Sequence, residues 1–351
     1  MENLAIILVI VLVLGALLYF GINYISSSDF TLKDYFSPIF GGGTNKNPKA
    51  QEEIIGFFDN DGGFNRAAVY FDKKINVFNI KLSSDKQTLF AGSDRGLFIS
   101  RDKGLSWQSF SDSQNKINSN TQIYKILFNN TNFGFLSVFQ DKKGFLHASS
   151  DNFSSLEKLL EFDNAAITDF DILGENLYFG LSDGRFFSYS LAGKNLKFLK
   201  GFSSPIARLK LNQSGLLYAS FQKGGLWVSG DFGQTFNEMK FPEGVGQVYD
   251  FLIDSKNNFL IFAATDAGLF RSMDGGNNWQ ALKSLPSEKP IVSILASRES
   301  AGEVFAVYGD KIYKTRDYGD SWQILAPGFS NRLISVVSPI DNAVFAGTVT
   351  K

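Results

Sequence analysis

An all-β ring of repeated four-stranded antiparallel sheets, preceded by one apolar helix, is the fold class this sequence predicts. Three observations predict it. The phrase Ser/Thr-x-Asp-x-Gly-x-x-Trp returns along the chain. The segments between its copies alternate apolar and polar residues with period two. The two ends of the patterned region each hold about half of the repeating unit.

The phrase occupies residues 100–107 with Asp102, Gly104 and Trp107, residues 272–279 with Asp274, Gly276 and Trp279, and residues 315–322 with Asp317, Gly319 and Trp322. A fourth copy at 229–236 keeps Asp231 and Gly233 and carries Phe236 in place of tryptophan. Asp231 to Asp274 and Asp274 to Asp317 are each 43 residues apart. A fixed period of that size marks a repeat architecture whose units bury their apolar faces only against one another. Two further units are eroded. Around Asp151, Phe153 replaces the glycine and Leu156 the tryptophan; around residues 189–196 only Gly193 survives.

Each unit reads as strands of period two, as in VFNIKL, TLFAGS, GLFISR and WQSF over residues 77–110; such alternation belongs to half-buried strands. The 36 phenylalanines, against 4 tryptophans, fall mostly at alternating positions and read as core filler for many short strands. After Trp322 the chain supplies only LISVV and AVFAGTV, two strands. Near the other end, IIGFF at 54–58 leads through Asp59-Asn60-Asp61-Gly62-Gly63 into AAVYF at 67–71. Two strands from each end make a further blade whose closure removes free sheet edges. The expectation is therefore a seven-bladed β-propeller of four-stranded blades over residues 52–351, closed by N-terminal and C-terminal half-blades, with Asp61 in a degenerate copy of the phrase.

Residues 4–25, LAIILVIVLVLGALLYFGINYI, are uncharged and apolar. As a helix they would be about 33 Å long, enough to cross a bilayer core. Residues 1–25 are expected to be a transmembrane anchor touching membrane lipid through 4–25. A cleaved signal peptide is the alternative, disfavoured because no Lys or Arg precedes the run and no Ala-x-Ala site follows. Residues 26–51, with SSS and Gly41-Gly42-Gly43, read as a flexible tether. The expected placement is a single-pass membrane protein with its propeller extracytoplasmic, periplasmic or at the cell surface.

The recurring phrase resembles the Asp-box, or BNR repeat, of sialidases, xyloglucanases, the sortilin ectodomain and the photosystem II assembly-factor propellers. The resemblance covers about residues 52–351 and implies the propeller fold, not an activity. Physically, an aspartate at that point accepts hydrogen bonds from backbone N–H groups of a tight turn, and glycine permits positive φ. The tryptophan is expected to pack against the next sheet.

Several function classes are disfavoured. A net charge of −1 gives no bulk attraction to nucleic acid. The absence of cysteine excludes disulfides and thiolate chemistry. His147 stands alone, so a triad or histidine metal site finds no partners. Sialidases would carry an Arg-Ile-Pro phrase, which is absent. Xyloglucanases resemble two tandem propellers, and no pair of carboxylates can be nominated here for glycoside hydrolysis. No catalytic residue, metal or cofactor is expected.

The turns between second and third strands should share one face, opposite the aspartate phrases. They carry Arg95, Lys142, Lys143, Arg185, Lys223 and Lys311, with Arg332 on an inter-blade connection, alongside Asp94, Asp141, Asp183, Asp266 and Asp310. This face is the candidate for a protein partner, such as a membrane complex, which would make the chain an assembly or stability scaffold. The alternative is a glycan-binding or glycosidase-like propeller, in which Trp227 or Tyr313 could stack on sugars.

Overall fold

The computed structural model describes residues 55–58, 75–129, 133–283, 285, 295–297, 302–308, 311–326, 332–340 and 343–350. The described residues form no helix long and apolar enough to cross a membrane. The apolar stretch 4–25, the tether 26–51, Asp61 and the AAVYF run lie outside the described residues.

Six sheets have four strands each, taken consecutively and antiparallel. We call them blades 1 to 6, spanning residues 77–110, 122–163, 167–201, 206–238, 248–281 and 295–326. The expectation of seven four-stranded blades is corrected: among the described residues the propeller has six. The remaining sheet is a three-stranded closing sheet in the order Ile55–Phe58, Ala343–Thr350, Arg332–Ile340. The N-terminal segment gives it one described strand rather than two. That strand pairs antiparallel with its C-terminal neighbour, Ile55 opposite Gly347 and Phe58 opposite Val344.

The core is a set of inter-blade layers rather than one centre, because a sheet buried on both faces needs a neighbour on each side. Phe90, Leu97 and Ile99 of blade 1 meet Ile123, Ile126 and Leu136 of blade 2. Phe305 and Ile312 of blade 6 pack on Ile334, Val337 and Val344 of the closing sheet. Phe345 of that sheet in turn packs with Val77, Ile80 and Trp107 of blade 1. Phenylalanine fills these layers: Phe90, Phe135, Phe170, Phe179, Phe262 and Phe305 are fully buried.

The first strand of each blade is innermost and lines the axis. Its register slips by one residue at the same place in five blades and in the closing sheet, between Val77 and Asn79, Ile123 and Lys125, Ile167 and Asp169, Ile206 and Arg208, Val248 and Asp250, and Ile334 and Val336. A bulge re-aims the side chains that follow it. Here it sets one residue from each of these sheets at a common height around the axis.

Candidate functional site

Three places hold chemistry: the turns that carry the aspartate phrase, the opposite face, and the axis between them. In the turns, Asp102 Oδ1 accepts from Ser100 Oγ at 2.7 Å and from the Ser106 N–H at 2.8 Å, and Oδ2 accepts from Ser106 Oγ at 2.5 Å. The Gly104 N–H donates to Ser100 Oγ at 2.8 Å. The same set recurs with Asp231 between Ser229 and Thr235, and with Asp317 between Thr315 and Ser321. Asp274 is held likewise by Ser272 and Asn278. Donors aimed at the charged form favour it. Hydrogen bonds from Ser106 hold Asp102 down to about 2, and those from Thr235 do the same for Asp231.

The glycines do two jobs. Gly104, Gly233, Gly276 and Gly319 have φ between 85° and 95°, and each lies against the preceding sheet with no room for a side chain. A Cβ on Gly233 would stand 2.5 Å from Phe186, and one on Gly276 would stand 2.7 Å from Met239. The aromatics follow the same direction, which corrects the expectation that they pack on the next sheet. Phe236 sits edge-on to Phe186 of blade 3, 5.7 Å away, and Trp279 stacks on Phe241 at 4.3 Å. Trp107 and Trp322 donate their Nε1–H to the carbonyls of Gly104 and Gly319. The eroded copy at Asp151 keeps the turn: Asp151 accepts from Ser149 and Ser155, and Phe153 takes φ 67° where glycine would stand. These aspartates stand on separate blades, each bound within its own turn, so they cannot converge on a substrate.

The second-to-third turns lie at the other end of the sheets. Arg95, Lys142 and Lys223 are exposed, Lys311 is half-buried, and none forms an ion pair among the described residues. Lys143 is neutralised by Glu161 at 2.5 Å and Asp163 at 3.4 Å. Arg185 is held by Asp183 at 2.7 Å and lies over the rings of Phe162 and Phe187. Arg332 opens the inner strand of the closing sheet. Asp94, an acid on the same face, is tied to Asn76 by two hydrogen bonds. The strand Ile55–Phe58 starts at this end and runs toward the aspartate-bearing end, since Phe58 faces Val344, beside the hairpin to the inner strand.

The axis was not singled out by sequence reasoning. The residues after the bulge in blades 2 to 5 are Lys125, Asp169, Arg208 and Asp250, alternating in sign from blade to blade. Lys125 Nζ lies 2.5 Å from Asp169, and Arg208 Nε lies 3.4 Å from Asp250. Asp169 also accepts from the Leu209 N–H of the next inner strand at 3.0 Å. Its carboxylate therefore caps a free sheet edge as well as pairing a cation. Burial lowers Lys125 from its ordinary value despite Asp169. The signal was present in the sequence as a polar residue two positions after the first aliphatic one, where plain alternation gives both residues one face and only the bulge separates them.

Other expected candidates are core. Tyr313 is 6 % exposed, and Trp227 packs edge-on to Phe221. His147 is buried beside Phe145, and that burial pushes it down to about 4.

No protein-family model and no curated protein matches the chain. Solved structures do. YCF48 from Cyanidioschyzon merolae is 12% identical, over 83% of this chain and 98% of that one, with a TM-score of 0.65. A structure of YCF48 bound to D1 peptide is 13% identical, over 88% of this chain and 99% of that one, with a TM-score of 0.63. The GH74 enzyme of Niastella koreensis is 10% identical, over 77% of this chain and 46% of that one, with a TM-score of 0.56. At these identities the likeness is one of fold.

Proposed function

We propose that this chain is a non-catalytic propeller that binds a protein partner on its second-to-third-turn face and acts as an assembly or stability scaffold at a membrane. The observation that carries this reading is a grouping of cations. Arg95, Lys142, Lys223 and Lys311 stand on one face without ion-pair partners among the described residues. Unneutralised charge on a rigid rim steers an acidic partner surface toward it. A propeller of similar fold engages a peptide in the YCF48 structure with D1 peptide, which supports protein binding as a use of this architecture.

The anchor and topology belong to the same proposal. The 22-residue apolar stretch 4–25 is long enough to span a bilayer. The described chain enters the closing sheet at the cationic end, so a tether would present that end toward the membrane and its resident proteins. The Asp-box reading of the turns, with its sortilin and sialidase relatives, is part of this proposal and concerns structure rather than chemistry.

The test is site-specific photo-crosslinking in native membranes from position 95 or 223, compared with position 231 on the opposite face. A discrete partner from the first two sites alone, lost from position 95 on Lys223→Glu and from position 223 on Arg95→Glu, is the expected result. A partner captured only from position 231 would refute the assignment. The fold likeness to a GH74 enzyme supports a second reading, glycan recognition, for which turnover of a fluorogenic glycoside would be the sign.

A further inference from the structure

Two residues beyond the bulge, a second set of side chains surrounds the axis nearer the aspartate-bearing end: Lys81, Leu127, Asp171, Lys210, Leu252 and Ser338. Its charges differ from those of the first set. There, Lys125 and Arg208 each have a carboxylate partner. At this level two ammonium groups stand with one carboxylate, and that carboxylate already accepts two backbone hydrogen bonds. Asp171 accepts from the Ile172 N–H through Oδ1 and from the Leu211 N–H through Oδ2, at 2.9 and 3.0 Å. Neither Lys81 nor Lys210 forms an ion pair among the described residues, and both keep part of their surface open. Ser338 is turned away, donating its hydroxyl to the Ile80 carbonyl.

A half-buried cation without an ion-pair partner is stabilised when an anion joins it. Burial pulls Lys81 down to about 8, and the ammonium groups of Lys210 and Lys125 pull it further than Asp171 and Asp169 lift it. Lys210 is the opposite case: burial lowers it, but Asp171, Asp169 and Asp250 outweigh that and hold it above its ordinary value. Of the two, Lys81 has the less carboxylate compensation, and Lys210 stands three blades away around the same axis.

We propose that one small oxyanion, a carboxylate or phosphate group, binds at the axis between Lys81 and Lys210. Lys125 adds long-range attraction, while Leu127 and Leu252 pack into the inter-blade core and bring no charge to this level. The site lies at the end of the axis away from the proposed partner face, so either assignment can fail without the other.

The experiment uses the full chain with lysine labelled at its terminal carbon. Inorganic phosphate and acetate are titrated separately against chloride at matched ionic strength, and both the thermal midpoint and the titration of Lys81 are followed. At least one of the two is expected to raise the midpoint saturably and to move Lys81 upward from about 8, because a bound anion favours the ammonium form. A response to acetate alone assigns a carboxylate, and one to phosphate alone assigns a phosphate. The response should weaken above that value, as Lys81 loses its proton, and vanish in Lys81→Met and in Lys210→Met, while Lys223→Met on the outer face retains it. No saturable response to either anion, or one that survives both axial substitutions, would overturn the proposal.

Discussion

Replacing Gly233 by alanine tests whether the repeated turns lock one blade onto the previous one. Gly233 has φ 85°, and an added Cβ would stand 2.5 Å from Cε1 of Phe186 and 3.2 Å from Cδ2 of Leu217. Phe186 cannot easily move. It is fully buried and lies edge-on to both Phe202 and Phe236. The left-handed backbone costs an alanine about 1–2 kcal/mol, and overpacking a closed core costs about 1–3 kcal/mol more, giving about 2–5 kcal/mol together. With a urea m-value of about 3 kcal/mol/M, the unfolding midpoint should fall by about 1 M. Gly174→Ala is the control, since Gly174 has φ 59° and nothing within 4 Å; it should cost only the backbone part. Equal shifts for the two variants would refute the packing argument and leave backbone strain alone.

Other outcomes follow from the same geometry. Trp107→Ala should destabilise by about 3–5 kcal/mol; Trp107→Phe, which loses the bond to the Gly104 carbonyl and part of the buried ring, should cost less, about 1–3 kcal/mol, in the same denaturation assay. Hydrogen bonds from Ser106 and Thr235 hold Asp102 and Asp231 down to about 2 in the folded protein, against about 3.9 unfolded. A depressed folded value means their stabilisation is complete above the unfolded value and is lost as pH falls toward the folded one. Asp231→Asn should therefore flatten stability measured between about pH 4 and about pH 2. At the axis, Lys125→Met strands the buried Asp169 carboxylate and should cost about 3–5 kcal/mol, with partial recovery in Lys125→Met/Asp169→Asn by calorimetry.

The turns were legible because their chemistry is local. Serine, aspartate and glycine within five residues close one hydrogen-bonded loop, and the sequence shows all three at once. Even the eroded copy at Asp151 was readable, although its strained Phe153 was not expected to hold the same conformation. Blade count was less legible, because the closing sheet joins segments some 290 residues apart in sequence, Ile55 to Gly347, and period two says nothing about which strands pair. The axis was hidden for a different reason. Lys125, Asp169 and Arg208 owe their common height to a bulge, and a bulge is invisible to a strict alternation rule. Each also looks like an ordinary solvent-facing strand residue until the inner position of its strand is known.

Hydrogen exchange of the backbone amides in Ile55–Phe58 tests the ring most directly, and with it the assignment of faces. The closing sheet predicts slowed exchange at the alternate amides of 55–58 that bond to the 343–350 strand, and protection throughout Val344 to Gly347, which has a neighbour on each side. Free-peptide exchange in 55–58 beside full protection of the C-terminal strands would show that the N-terminal strand does not close the propeller.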